Sequence, residues 1–455
     1  MDKKADLGTA PVGKLLFRLA IPTVVAQLIN MLYNIVDRIY IGRIPEVGSL
    51  ALTGVGVCMP LIMIVSAFAA MAGGGGAPRA SIFMGKGQNE DAEKTMAGCF
   101  SLLCIIAAVL TGVLLIFSED LLLAFGASSD TIGFAVDYMN IYAIGTLFVQ
   151  LTLGMNAFIT AQGFAKQGML SVLIGAVCNI VLDPIFIFGL GMGVKGAALA
   201  TIISQAASAT WVLLFLTGKT TVLKLRVKNL NLKPAIIFPC VALGMATFIM
   251  QSTESVISVC FNTSLQKYGG DVAVGAMTIL TSVMQFAMLP MQGIGQGAQP
   301  IMSFNYGAGD AGRVKKTFRL LLTVSLSYSL VIWACIMLMP GVFAGIFTPD
   351  AELLDFTAKA LRIYCARLGL FGIQIACQMA FVSLGQALCS MTVAIMRKFV
   401  LLLPLIYLMP SLVSNKTMGV YMAEPVADVL AVTFTAILFF FVFRKAMKKL
   451  EEKIG

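Results

Sequence analysis

GGGGAPRASIFMGKGQNEDAEKT, residues 73–95, aligns without a gap on GQGAQPIMSFNYGAGDAGRVKKT, residues 295–317. The offset of 222 positions also pairs glycines, an alanine and a tyrosine outside these stretches: Gly48/Gly270, Ala51/Ala273, Tyr142/Tyr364 and Gly163/Gly385. In a very apolar chain, a repeat of this length predicts two copies of one multi-helix unit. Internal repeats of this kind are typical of secondary transporters.

The composition predicts an all-α membrane protein. Hydrophobic residues make up 59% of the 455 residues, charged residues only 12%, and the mean hydropathy is +0.92. A soluble domain carries about twice that charge. Apolar runs long enough to cross a bilayer predict twelve helices. Their predicted bounds are 14–41, 50–84, 92–117, 130–162, 164–189, 195–217, 233–267, 271–305, 312–339, 351–384, 388–413 and 416–447.

The basic residues indicate the topology. The net charge is +10, and most of the 32 lysines and arginines fall in segments on the same side of the membrane as the N-terminus. The largest clusters are 219–233, 313–319 and 444–453, and Arg397 and Lys398 are counted with this inner group. The positive-inside rule then predicts a multi-pass protein of the cell membrane with both termini in the cytoplasm. The basic charge reflects this topology and does not predict nucleic-acid binding.

Six helices per repeat is an even number, so both copies enter the membrane from the same side. They are therefore predicted to be related by a pseudo-two-fold axis along the membrane normal. The predicted organisation is an N-terminal lobe at 1–217, a cytoplasmic linker at 218–233 and a C-terminal lobe with a basic tail at 234–455.

Two carboxylates are predicted at similar depth in the N-terminal lobe. Asp37 lies near the outer end of the first helix and Asp183 near the outer end of the fifth. Asn179 is one turn from Asp183 on the same face, and Thr201 has a similar depth on the sixth helix. Two acids in one low-dielectric pocket cannot both stay ionised cheaply, so this cluster is predicted to hold H⁺ or Na⁺. The alternative is structural, with Asp37 accepting from a helix-end donor and Asp183 preceding Pro184 in a turn.

The chain contains no histidine, so proton coupling near neutral pH would have to use carboxylates. Pro22 lies in the otherwise apolar first helix, below Asp37, and proline removes one backbone hydrogen bond. Pro22 is therefore predicted to mark a helix bend that responds to protonation, and a static packing kink is the alternative.

The C-terminal lobe is polar along one face of the eighth helix, which carries Gln285, Gln292, Gln296, Gln299 and Ser303. Such a face cannot contact lipid, so it is predicted to line a cavity, with interhelical contacts as the alternative. The residues predicted to line the substrate cavity are Glu254, Gln285, Gln292, Gln296, Gln374 and Gln378.

Glu424 and Asp428, one turn apart on the twelfth helix, are given a structural role, because the start of a helix tolerates acids.

Four stretches together resemble the multidrug and toxic compound extrusion (MATE) family over essentially the whole chain. They are NIVDRIYIG with Asp37, LDPIFIFG with Asp183, GQGAQPIMSFNYGAG from Gly295 and AEPVADVLA from Ala423. The resemblance implies a twelve-helix, two-lobe antiporter that expels cationic amphipathic compounds in exchange for H⁺ or Na⁺. It also implies that Asn156 of the fourth helix joins the N-lobe site and that the first helix bends at Pro22.

The chain departs from the family at one point. One branch of the family binds its ion in the C-terminal lobe, with an acid at the position of Glu254 and a second acid on the tenth helix. Here the tenth helix offers Ile373 or Gln374 at that place. The expected ion site is therefore in the N-terminal lobe, and Glu254 is left to meet the positive charge of the substrate.

The main alternative is a flippase for lipid-linked precursors with the same architecture. Such a protein is expected to place cationic residues in its central cavity, where Arg362 and Arg367 are the only candidates and the acids outnumber them. A major-facilitator transporter fits less well, because the inter-lobe linker is too short. An enzyme is not expected, because no H-E-x-x-H or G-x-S-x-G motif occurs. We expect a monomer in contact with membrane lipid, with no cofactor and no metal other than a possible Na⁺.

Overall fold

The structure, a computed structural model, describes residues 6–452. Helices supply all the regular secondary structure of these residues. Residues 1–5 and 453–455, which include Lys453 of the predicted basic cluster, lie outside the described residues.

The helices form twelve spans, as predicted. Nine helices are long and apolar enough to cross a membrane, and two bent pairs bring the number to eleven among the described residues. The segment Pro234–Gly307 would measure about 110 Å as one straight helix. It is broken at Gly270, whose φ of 64° is a left-handed conformation that suits glycine, and this break gives the twelfth span.

We number the spans α1 to α12. They are α1 Val12–Gly42, α2 Gly48–Gly85, α3 Asn89–Ala124, α4 Ile132–Ile144 with Thr146–Ala161, α5 Ala165–Pro184 with the π-helical turn Ile185–Gly189, α6 Val194–Thr217, α7 234–269, α8 271–307, α9 Ala311–Leu338, α10 Ala351–Tyr364 with Phe371–Ser383, α11 Ala387–Ile395 with the π-helical Met396–Leu402 and Leu403–Leu412, and α12 Lys416–Glu451. The predicted bounds agree to within a few residues for most spans; α3 runs seven residues further than predicted, to Ala124.

The two halves repeat their irregularities as well as their sequence. The matched pairs Gly87/Gly309 and Gly163/Gly385 all have positive φ, between 69° and 90°. The fourth span of each half is bent, by 58° in α4 and 41° in α10. The fifth span of each half, α5 and α11, contains a π-helical segment. Two lobes of six spans are therefore built on one pattern.

Both described chain ends lie at one end of the bundle, beside the start of α9. Arg313 Nη2 donates to the carbonyl oxygens of Leu7 and Ala10 at 3.1 and 2.8 Å. Lys315 Nζ lies 2.5 Å from Glu451 Oε1 near the end of α12. We call this the terminal end of the bundle.

The segment predicted to link the lobes, 218–233, is attached to the N-terminal lobe. Gln162 Oε1 accepts hydrogen bonds from the backbone N–H groups of Val222 and Leu223 at 2.9 and 2.8 Å, and from Thr221 Oγ1 at 2.9 Å. Leu223 is completely buried. The segment therefore belongs to the structured surface of the terminal end.

The lobes pack against each other in the half of the bundle nearer the terminal end. One hydrophobic core there joins Leu15, Leu16 and Leu19 of α1 to Ile301 and Met302 of α8. Away from this end each lobe has its own core, one within 41–198 and one within 257–427. The two lobes are thus closed against each other at the terminal end and have separate cores at the opposite end.

Glycines make this closure possible. An added Cβ at Gly75 of α2 would overlap the Cys240 carbonyl oxygen of α7, and at Gly85 of α2 the Phe304 carbonyl oxygen of α8. The repeat-matched Gly307 would overlap the Ile82 carbonyl oxygen in the same way. The repeated glycine motif therefore provides several of the close backbone contacts between the lobes.

We expect Gly75→Ala to destabilise this closed arrangement by about 1–3 kcal/mol, because the new methyl group meets backbone that cannot move aside without separating α2 from α7. The measurement is the midpoint of thermal aggregation of the purified protein in detergent. The matched control is Gly74→Ala, whose new Cβ would lie 3.6 Å from Thr247 Oγ1, an ordinary contact. Equal midpoints for the two variants would contradict this view of the interface.

Candidate functional site

The N-terminal lobe brings two buried acids together. Asp37 of α1 is 7% exposed and Asp183 of α5 is fully buried, and their carboxyl groups lie within hydrogen-bonding reach of each other. Asp183 lies in the last turn before Pro184 and the π-helical turn. Such turns interrupt the regular hydrogen-bond ladder and are frequent at functional sites.

Asn179 and Thr201 complete the cluster, as the predicted depths required. The Asn179 Nδ2 atom lies 3.4 Å from Asp183 Oδ1 and 3.5 Å from Thr201 Oγ1. Asn179 is 1% exposed. Its amide therefore connects the acid on α5 to the hydroxyl on α6.

The cluster has more acceptor oxygens than donors. Asp37 Oδ1, Asp183 Oδ2 and Asn179 Oδ1 are buried and accept no hydrogen bond. No lysine or arginine between residues 6 and 452 forms an ion pair with either acid. Buried acceptors without donors are costly, and a cation or a proton would relieve this cost. Oxygen ligands of this kind suit a hard cation such as Na⁺, and the carboxylates equally suit H⁺.

The sequence did not single out the two tyrosines that border this cluster. Tyr33 lies one turn before Asp37 on α1, and that spacing alone could have indicated it. Tyr138 of α4 lies close to Thr201, and only the packing of α4 against α6 brings it there.

A cavity of about 40 Å³ adjoins the cluster and is lined by Asn30, Tyr33, Asn179, Thr201, Ser204 and Ser208 among others. This volume suffices for a few water molecules and not for a drug-sized ligand.

Asn156 is not brought to this cluster. Its Nδ2 atom donates to the Gly168 carbonyl oxygen at 3.3 Å, near the start of α5. Asn179 is eleven residues further along that helix, about 16 Å away. Asn156 follows the 58° bend of α4, in the part of the span that runs toward the terminal end. The placement implied by the resemblance is therefore wrong for this conformation.

Pro22 lies inside α1, which is one helix from Val12 to Gly42. The next residue, Thr23, donates from Oγ1 to the Gly293 carbonyl oxygen of α8 at 2.6 Å. An added Cβ at Gly293 would clash with Val24. Pro22 is therefore located where α1 touches the other lobe; the structure holds one conformation, so the bend there stays a prediction.

The C-terminal lobe corrects the sequence analysis on two basic residues. Arg397 and Lys398, counted there with the inner segments, lie ten and eleven residues into α11, in its π-helical segment, and are 6% and 4% exposed. This places them about 15 Å along the span. The proposal that Arg362 and Arg367 were the only cationic candidates for the cavity was wrong. The sequence analysis misplaced Arg397 and Lys398 because two adjacent basic residues beside an apolar run usually mark the end of a membrane span. The acids that pair with them lie on other spans and could not be recognised from the neighbouring sequence.

Arg397 is held by the two acids of α12. Its Nη2 atom lies 2.9 Å from Asp428 Oδ1 and 3.1 Å from Glu424 Oε1, and its Nε donates to Asp428 at 3.0 Å. The guanidinium also lies 4.9 Å from the centre of the Phe371 ring. Glu424 and Asp428 lie two and three turns into α12. The prediction that the start of the helix stabilises their negative charges is therefore wrong, and the positive charge of Arg397 stabilises them instead.

Glu254 of α7 meets Lys398. The Lys398 Nζ atom lies 2.5 Å from Glu254 Oε2, with the lysine side chain 5% exposed and the glutamate side chain 54% exposed. Glu254, the acid predicted to line the cavity, is therefore bonded to a buried lysine and is itself about half exposed.

The predicted glutamines divide into two groups. Gln285 and Gln292 are exposed and half-buried on α8, and Gln296 accepts from Gln27 Nε2 of α1 at 3.2 Å, a contact between the lobes. Gln374 and Gln378 are buried within the lobe, and Gln378 Nε2 donates to Ser390 Oγ of α11 at 2.7 Å. The α10 group is buried inside the C-terminal lobe and the α8 group is at least partly exposed; the substrate role of each residue stays a prediction.

We expect Arg397→Met to lower stability by about 3–5 kcal/mol, because Glu424 and Asp428 would stay buried without their cation. The readout is the fraction of protein that remains monodisperse in detergent after heating. Lys359→Met is the control, since its pair with Asp355 is about two-thirds exposed and such pairs contribute only about 0–1 kcal/mol. The triple change Arg397→Met, Glu424→Gln, Asp428→Asn should recover much of the loss, and a harmless Arg397→Met would refute the pairing.

Twelve spans in two repeated lobes, with an unpaired acid cluster in one lobe and ion-paired charges in the other, define the fold class as a two-lobe membrane transporter. The MatE family model matches residues 22–185 and again 246–408, once in each lobe. The chain belongs to the MatE (multidrug and toxic compound extrusion) family.

Known relatives support this assignment. The multidrug export protein MepA of Staphylococcus aureus (strain NCTC 8325 / PS 47) is 25% identical over 411 residues, covering 89% of this chain and 88% of the relative. MepA of Staphylococcus haemolyticus is 25% identical over 365 residues, covering 80% and 79%. Two solved structures share the fold: a MATE transporter in complex with MaD3S (23% identity, TM-score 0.90, coverage 99% and 100%) and the outward-facing conformation of a multidrug resistance MATE transporter (22%, 0.89, 99% and 99%).

Proposed function

We propose that this protein exports cationic amphipathic organic compounds across the cell membrane in exchange for H⁺ or Na⁺. The observation that carries the proposal is the buried pair Asp37 and Asp183, which share one space in the N-terminal lobe without a basic partner among the described residues. Such a pair can bind one positive ion and release it when its surroundings change. The relatives named multidrug export proteins support the cargo class.

Alternating access requires that the space between the lobes open to one side at a time. The lobes are closed at the terminal end and have separate cores at the other. If the termini are cytoplasmic, as the basic residues predict, this conformation faces outward. We propose that the opposite conformation separates α2 from α7 and α8 at the glycine contacts.

The flippase alternative is less well supported. A pyrophosphate needs cationic groups free to bind it. The two mid-span basic residues, Arg397 and Lys398, are both paired with acids, and the surrounding group of Glu254, Glu424 and Asp428 outnumbers them. This lobe therefore favours a cation over an anion.

The direct test is uptake of ethidium into proteoliposomes that hold purified protein, with pH and Na⁺ gradients imposed separately. The gradient that drives uptake identifies the coupling ion. Uptake that ignores both gradients would exclude the proposed exchange.

We expect Asp37→Asn to abolish gradient-driven uptake, because the pair loses a charge that binds the ion. The protein should still insert and fold, because no basic residue loses an ion pair when Asp37 is neutralised. The control is Asp137→Asn in the same lobe, where the acid is half exposed and lies 3.4 Å from Lys195. This control should transport like the unmodified protein.

Asp37→Asn and Asp183→Asn should be strongly non-additive in this assay, since both acids serve one charge. The comparison uses the initial uptake rates of both single variants and the double variant. Each single variant should already be as slow as the double variant; a residual rate in a single variant that falls further in the double variant would show two separate roles.

A further inference from the structure

The charges buried in the C-terminal lobe do not balance. Glu254, Glu424 and Asp428 contribute three carboxylates, and Arg397 and Lys398 contribute two cations. Arg397 is shared by the two acids of α12, and Lys398 is bonded to the acid of α7. The cluster is therefore one positive charge short, which is the charge of a monovalent organic cation.

Glu254 is the member of the cluster that a ligand can reach. Its side chain is 54% exposed, whereas those of the other four residues are 5–8% exposed. The same stretch of α7 borders the other lobe: the Phe248 ring lies 4.8 Å from the Phe68 ring, and Ser255 Oγ lies 3.9 Å from Met63 Sδ of α2. Glu254 therefore lies on the C-lobe wall of the space between the lobes.

Lys398 has a second carboxylate nearby. Arg397, the residue before Lys398, lies 3.1 Å from Glu424 and 2.9 Å from Asp428, so the two acids of α12 share a single cation and Glu424 lies beside the pair of basic residues. A lysine ammonium is a point charge on a flexible four-carbon stem, so it can exchange one carboxylate for another at small cost. The lysine can thus leave Glu254 without becoming an unpaired buried charge.

Arg397 and Lys398 lie in the part of the C-terminal lobe where the N-terminal lobe has its small cavity. Gly163 and Gly385, both with positive φ, precede the starts of α5 and α11 and fix their register at 222 positions. Arg397 and Lys398 lie at the start of the π-helical segment of α11, which α5 lacks at this point, and the residues of α5 at about the same distance from the glycine are Gly175 and Ala176, which line the small N-lobe cavity. The C-terminal lobe carries its own cations where the N-terminal lobe has room for solvent.

We propose that Lys398 is a tethered cation that occupies Glu254 between transport cycles and is displaced to Glu424 by the positive charge of a substrate. Lys398 is then a specificity-determining residue: it sets the affinity for monovalent cations, because each one must compete with an ammonium held 2.5 Å from the carboxylate. This inference rests on the proposed export of organic cations. It adds that the cation binds at Glu254 in competition with Lys398.

The test is equilibrium binding of tetraphenylphosphonium, whose charge is fixed, to full-length protein purified in detergent without any ion gradient. Lys398→Met removes the competitor, and Glu254 can stay hydrated because it is half exposed. Lys398→Met should bind the probe about tenfold more tightly, since one close charge pair is worth at least about a factor of ten. Lys398→Arg, which keeps the charge, should bind like the unmodified protein and shows whether position 398 tolerates change.

The glutamate supplies the second arm. Glu254→Gln should lose most of the binding of the probe. Adding Lys398→Met to Glu254→Gln should not increase the affinity, because the carboxylate for which the lysine and the probe compete has been removed. Lys267→Met, a lysine whose ammonium lies over the Tyr268 ring outside the cluster, is the control for charge removal in general. Its affinity should be unchanged.

Each outcome decides between the proposals. Unchanged or weaker binding by Lys398→Met, or a full gain in the Glu254→Gln background, overturns the role of Lys398 and leaves cation export standing. If Lys398→Met binds the probe and the unmodified protein does not, the proposal is supported, because Lys398 would then block binding completely. If no variant binds the probe, both the inference and the proposed cargo class fail together.

Discussion

A charge inside an apolar bundle must be neutralised where it lies, and this constraint distinguishes the two lobes. The C-terminal lobe neutralises its two cations with its own acids, since Arg397 is bound by Glu424 and Asp428, and Lys398 by Glu254. The N-terminal lobe provides no such partner for Asp37 and Asp183 among the described residues. In the proposed exchange, the neutralising ion comes from solution, as an ion-coupled transporter requires of one site.

The repeat explains why both lobes can share a shape and differ in chemistry. Glycines with positive φ fix the turns before α5 and α11, and close backbone contacts fix how α2 and α8 meet. These positions depend on backbone geometry, and a side chain there would be strained or would overlap neighbouring backbone. The side chains that face each lobe interior are under no such constraint, so Gly175 and Arg397 can occupy matching places in a common frame.

The sequence predicted those features that depend on local pattern. Apolar runs gave twelve spans, and the break at Gly270 fell between two of them as expected. Asp37, Asn179, Asp183 and Thr201 were brought together by depth alone, because straight spans of known direction place residues of equal depth side by side.

Features that depend on long-range packing escaped prediction. The bend of α4 carries Asn156 away from the acids and brings Tyr138 toward Thr201, and neither follows from spacing along the chain. Arg397 and Lys398 were misplaced because a basic pair is read as a helix flank until its acids are known. Those acids lie on α7 and α12, 27 or more residues away in sequence.

One element connects the ion cluster to the contact between the lobes. α1 carries Asp37 in the part remote from the terminal end, and its Ala20, Thr23 and Gln27 touch α8 of the other lobe. Val24 is thirteen residues from Asp37, about 20 Å along the helix. Pro22 removes one hydrogen bond of the helix at the place where these contacts begin. If the proposed exchange holds, a change of charge at Asp37 would act on a helix that lacks one hydrogen bond at the interface, and the ion would affect the closure of the lobes without any contact between ion and cargo.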